Sequence, residues 1–84
     1  MDHSELHRLL RQKPFQPFRV VLSDGEAYEI RYPYMNLLAE TFIKIGIPVE
    51  GDTRPRPSCD HTEFVWLKDI VRIDLLPSTP PVAS

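Results

Sequence analysis

The stretch FRVVLSDGEAYEIRY, Phe18 to Tyr32, constrains the fold of this chain more than any other. Phe18, Val20 and Leu22 alternate with Arg19, Val21 and Ser23, and Tyr28, Ile30 and Tyr32 alternate with Glu29 and Arg31. Period-two alternation gives a strand one buried face and one wet face. Between the runs, Ser23-Asp24-Gly25 has the chemistry of a type I turn followed by a glycine at positive φ, the usual three-residue hairpin loop. The segment is expected to be an antiparallel hairpin.

The rest of the chain supplies one helix and three more strands. Leu6, Leu9 and Leu10 share one helical face, and Asp2 with Glu5, or Ser4, can cap its start. Pro14 ends the helix by steric clash and a missing N–H, so the helix is expected over about Ser4–Gln12. KPFQPF then forms an extended tether that Phe15 and Phe18 can pin to a core. Pro33 cannot donate to a ladder and must end the hairpin's second strand or bulge it. YMNLLAE, 34–40, is open between a turn of helix and more strand. TFIKIGIPV alternates again, with Ile43, Ile45 and Ile47 on one face. EGDTRPRPSCDHT, 50–62, is expected to be a loop on its Pro, Gly, Asp, Ser and Thr content. EFVWLK and IVRIDLL are two further strands, separated only at Asp69, so their connection must be very tight. The fold class is therefore mainly β, one domain over residues 1–77, with residues 78–84 a disordered tail by composition.

With 84 residues, 42% hydrophobic and 26% charged, the chain has room for one modest core. Its net charge is −2, whereas a dedicated nucleic-acid binder is usually basic. The charge is uneven: residues 1–20 hold four basic against two acidic side chains, net +2, which leaves −4 for the remainder. A single cysteine, Cys59, rules out an internal disulfide framework and fits a reducing compartment. Neither a signal peptide's apolar core nor a run of about 20 apolar residues is present, so a cytoplasmic protein with no membrane partner is expected.

The order of a short helix followed by five strands resembles the Sm-like barrel of Sm proteins and the RNA chaperone Hfq, a relative of the SH3-like barrels. The resemblance covers residues 4–76. Within YMNLLAE, Met35 and Asn36 match the Met-Asn of the first Sm motif, although Tyr32 stands where Sm proteins have aspartate. LKDIVRI, Leu67 to Ile73, resembles the second motif, with Lys68 at its basic position and Asp69 in place of the following glycine or histidine. The PFxPF segment and LSDG hairpin also resemble a group of short bacterial proteins that carry no known activity.

The Sm resemblance implies a small five-stranded SH3/Sm-like barrel that binds single-stranded RNA. Asn36 would bond a base edge, Tyr34 would stack on the base, and Lys68 would hold phosphate. The residues read alone leave another role open, with Asn36 capping a turn and Tyr34 packing at a rim. Arg8, Arg11 and Lys13, with His3 and His7, form either a phosphate-attracting patch or a solvated helix face. His3, His7, Cys59 and His61 are metal-ligand residue types, but their spacing fits no usual zinc pattern, and no metal or other cofactor is expected. Cys59 has no implied base beside it. Asp24, Glu26, Glu29, Glu63 and Asp74 fall on turns or wet strand faces, where paired acid–base catalysis has no cleft, so no enzyme is expected. The alternating prolines and arginines of TRPRP, 53–57, suit a mobile loop or an extended peptide contact. Two functions follow as expectations: a non-catalytic binder of single-stranded RNA, or a structural module that contacts protein partners. A homo-oligomer is also expected. So small a core gains from extra burial, and the strands EFVWLKD and IVRIDLLP offer edges to pair, head to tail or across a two-fold.

Overall fold

A computed structural model describes residues 2–77. The tail expected over 78–84 lies outside the described residues. The chain is mainly β: helix α1 (His3–Leu10) precedes β1 (Phe18–Leu22), β2 (Ala27–Ile30), β3 (Leu37–Leu38), β4 (Phe42–Pro48), β5 (Cys59–Trp66) and β6 (Ile70–Leu75). They form two three-stranded antiparallel sheets, in the orders β2-β1-β6 and β3-β4-β5. Five strands were expected and six are present among the described residues, because the stretch around YMNLLAE divides into two elements. Pro33–Met35 is a 3₁₀ turn and Leu37–Leu38 a two-residue strand.

The first hairpin has the expected loop. Gly25 takes φ +93°, the Gly25 N–H donates to the Leu22 carbonyl at 3.0 Å, and Leu22 N–H donates to Glu26 O at 2.8 Å. Asp24 Oδ1 accepts from the Glu26 N–H at 2.9 Å, which replaces a backbone partner the turn cannot supply. The helix starts one residue earlier and ends two earlier than expected, since Asp2 is the cap and accepts from the Ser4 N–H at 3.2 Å.

The chain passes between the sheets at two 3₁₀ turns, Pro33–Met35 and Leu67–Asp69. The second is the tight connection anticipated around Asp69. It is tied to both sheets: the Leu67 N–H donates to Thr41 O at 3.0 Å, and the Ser23 N–H donates to Asp69 O at 2.9 Å. Between the sheets lies one core of Phe18, Val20, Ile30, Ile43, Ile45, Val65, Leu67 and Ile70, closed by Leu6 and Leu9 of α1. Strand parity assigned most of these residues correctly. The loop expected over 50–62 is shorter than drawn. Strand β5 begins at Cys59, with Pro48 opposite Cys59 and Ile47 opposite His61.

Candidate functional site: the outer face of the second sheet

Alternation along β4 and β5 sends Ile43, Ile45 and Val65 inward and so turns Phe42, Lys44, Phe64 and Trp66 outward. Directly opposed residues share a face and lie about 5 Å apart. Leu37 on β3, Lys44 on β4 and Phe64 on β5 therefore form one row, and Phe42 with Trp66 forms the next. The three aromatic rings pack on one another. Phe42 stacks on Phe64 at 4.7 Å between centroids, and Phe64 meets Trp66 edge-on at 4.9 Å. Trp66 is 45% exposed, Phe64 48% and, across Lys44, Leu37 59%, so water reaches this aromatic surface and the leucine beside it. Strand alternation sets Phe64 and Trp66 on the face opposite Val65. The fold covers only the Val65 side.

The outer face of the first sheet is different. There Glu29, Arg19 and Asp74 form a row across three strands, with Arg19 3.3 Å and Arg31 3.0 Å from the Glu29 carboxylate. The hydrogen bond from Arg31, followed by that from Arg19, holds Glu29 below its ordinary pKa. Such exposed pairs add little stability, but they keep that face wet.

Beside the aromatic face a cavity of about 750 Å³ is lined by Asp2, His3, Glu40, Thr41, Trp66 and Lys68, among others. Along β5 itself, His61 sits between Asp60, 2.8 Å from its Nδ1, and Glu63, 3.2 Å from its Nε2. These carboxylates, Asp60 foremost, raise the imidazole above its ordinary pKa.

The residues implied by the Sm resemblance are divided among three parts of the molecule. Tyr34 and Asn36 meet at the first 3₁₀ turn. The Tyr34 hydroxyl donates to Pro57 O at 2.9 Å, and the Arg56 guanidinium lies 4.2 Å from the centroid of its ring. The Asn36 amide nitrogen donates to Tyr32 O at 2.9 Å, which is the turn-capping role, while its Oδ1 is buried without a hydrogen-bond partner. Lys68 is exposed on the second 3₁₀ turn. Arg8 pairs with Glu5 at 3.5 Å, and Arg11 caps the end of α1. Lys68, Arg8 and Arg11 border three separate cavities.

The 49–58 connection is tied down from within. Asp52 accepts from the Arg54 side chain at 2.6 and 2.9 Å and from the Ser58 N–H at 3.0 Å. Among the described residues, no group of three or more His, Cys, Asp and Glu side chains is placed to hold a metal ion. No helix among them is long and apolar enough to cross a membrane.

Family models, curated proteins and solved structures yield no match to this chain.

Proposed function

We propose that the chain is a non-catalytic protein-interaction module on a small SH3/Sm-like barrel, with the outer β4–β5 face as its contact surface. Three features support the barrel: the two 3₁₀ crossings between sheets, the division of one bent path into β2 and β3, and the return of β6 to pair with β1. With β2 and β3 counted as one bent strand, the six strands become five.

The functional reading is carried by one observation, the cluster in which exposed Phe64 and Trp66 pack on half-buried Phe42. Apolar area held in water forgoes roughly 25 cal/mol per Å² of burial, and contiguous patches of this kind mark partner sites. Phe and Trp are the residue types that interface cores enrich. Single-stranded RNA is the lesser reading. Aromatic faces also stack bases, but the Tyr34 ring and the Asn36 amide are already engaged, and acidic Asp60 lies on the strand that carries Phe64 and Trp66.

The test compares capture of proteins from nuclease-treated lysate by the parent chain and by Leu37→Lys, a change at an exposed position of the patch. Nuclease-resistant partners that the variant loses are the expected result. Binding of short U-rich or A-rich RNA with an affinity that falls steeply with salt, and no nuclease-resistant partner, would overturn the reading in favour of RNA.

A further inference from the structure

The aromatic face ends at a free strand edge. In the order β3-β4-β5, β5 is outermost, and among the described residues no strand pairs with the far side of its eight residues from Cys59 to Trp66. Unpaired backbone along so long an edge is a template for another strand, and natural edges are usually blunted by proline, bulges or shortness. Strand β3 is blunted by shortness, at two residues. Strand β5 is not shortened and carries no proline between 59 and 66; its edge is blunted only by the bulge at Asp60 and by Glu63, a charge on the face that carries Val65.

We infer that a second copy of this chain occupies this edge, through a two-fold antiparallel pairing of β5 with β5 centred on Phe64. The inference rests on the interaction reading above and names its partner. A two-fold edge pairing keeps the outward side chains of both copies on one continuous face, so the choice of register decides which of them meet. Centred on Thr62, the pairing sets each Asp60 against the partner's Phe64. Centred on Glu63, it opposes two like charges and places Asp60 against Trp66. Centred on Val65, it pairs only the last three residues of β5. Centred on Phe64, it brings Phe64 to Phe64 and Thr62 beside Trp66. Two residues beyond the strand end, it brings the bulged Asp60 towards the turn that bears Lys68. Lys68 has no ion-pair partner among the described residues, so the register supplies charge complementarity as well as aromatic burial. The two three-stranded sheets would become one six-stranded sheet, and the aromatic clusters of both copies would form a single surface across the axis.

Light scattering coupled to size exclusion at micromolar concentration is expected to give twice the 9.8 kDa chain mass. Phe64→Lys places two ammonium groups on the axis and should weaken dimerisation at least ~30-fold, as for the loss of an interface hot spot, with the far-UV circular dichroism of the parent retained. Asp60→Lys and Lys68→Glu should each weaken the dimer, and the double variant should restore it. In a Cys59→Ser background, oxidised Phe64→Cys should form a covalent dimer. Thr62→Cys and Trp66→Cys should each cross-link poorly alone and well when mixed. A monomer under these conditions overturns the inference. So does a dimer that survives Phe64→Lys, or a larger ring-like mass from head-to-tail pairing of β5 with β6. If the chain is a monomer yet its capture of a different protein is lost in Leu37→Lys, self-pairing fails while the interaction reading stands.

Discussion

Replacing Gly46 with alanine should destabilise the protein by overpacking. Gly46 lies on β4 with its outward side beneath the first 3₁₀ turn. A Cβ built there would lie 2.5 Å from the Met35 carbonyl oxygen, 2.6 Å from Met35 Cβ and 3.2 Å from Cys59 Sγ. Its nearest neighbour is main chain, so no side-chain rotation relieves the contact. The turn has little freedom to retreat: Pro33 fixes its first φ, and Asn36 binds back to Tyr32 O at 2.9 Å. Overpacking of this type costs about 1–3 kcal/mol, and a middle value of about 2 corresponds to a fall in Tm of roughly 8–16 °C for a domain of this size. Urea and thermal melts followed by circular dichroism measure it, and an unchanged m value would assign the change to stability. Gly51→Ala is the control. Nothing lies within 4 Å of its built Cβ, and its φ of +83° exacts only the left-handed backbone cost of about 1–2 kcal/mol. A Gly46→Ala protein within roughly 0.5 kcal/mol of the parent, the level of an ordinary surface substitution, would refute the packing of the turn on β4.

Leu6 is fully buried between α1 and the sheets, so Leu6→Ala should cost about 2–5 kcal/mol in urea unfolding and release the helix from the core. The His61 imidazole should titrate above its ordinary value near 6.5 by NMR, and Asp60→Asn should lower that midpoint. Because the folded pKa is the raised one, the contribution of this contact is fully present below the unfolded pKa and is lost as pH rises through the folded pKa. Asp52 has the opposite sign. The Arg54 side chain, then the Ser58 and Arg54 N–H groups, hold its carboxyl well below the usual range. Its contribution is present above the unfolded pKa and is lost as pH falls through the folded one. Asp52→Asn should therefore loosen residues 49–58 at neutral pH, read as faster hydrogen exchange of the Arg54 and Ser58 amides than in the parent.

The elements most legible in the sequence were those whose signal is local. Ser23-Asp24-Gly25 specified a turn because only a few residue types satisfy its backbone, and Asp2 marked the helix start by its own hydrogen bond. The buried parity of Phe18, Val20, Ile43, Ile45 and Val65 was equally plain. Elements held by distant partners were not legible. Cys59, Asp60 and His61 have the composition of a loop, and they form a strand because β4 supplies a partner ladder through His61 and Cys59. Asp52 read as one more loop residue, although it accepts from both Arg54 and Ser58 across six positions. For the candidate site, Phe64 and Trp66 stood out as a face of their own. Phe42 joined them only through cross-strand register, and that the fold leaves this face uncovered is a property of tertiary packing. Asn36 matched a motif by residue type, but a short turn at Pro33 uses its amide locally.

The core and the proposed contact face are two sides of one register. Strand β5 sends Val65 inward and Phe64 and Trp66 outward, so a slip by one residue would bury one set only by exposing the other. Two constraints set the register against such a slip. The bulge between Ile47 and Pro48 ends the regular β4–β5 pairing at one end. At the other, the hydrogen bond from the Leu67 N–H to Thr41 O fastens the second 3₁₀ turn just after Trp66, with Leu67 buried in the core. The aromatic face is thus positioned by residues that do not belong to it. Substitutions at Leu67 act on the core and the contact face together, whereas substitutions at Leu37 or Phe64 reach the face alone. That separation makes exposed-face variants the informative ones. They leave the inward half of the alternation, and with it the fold, in place.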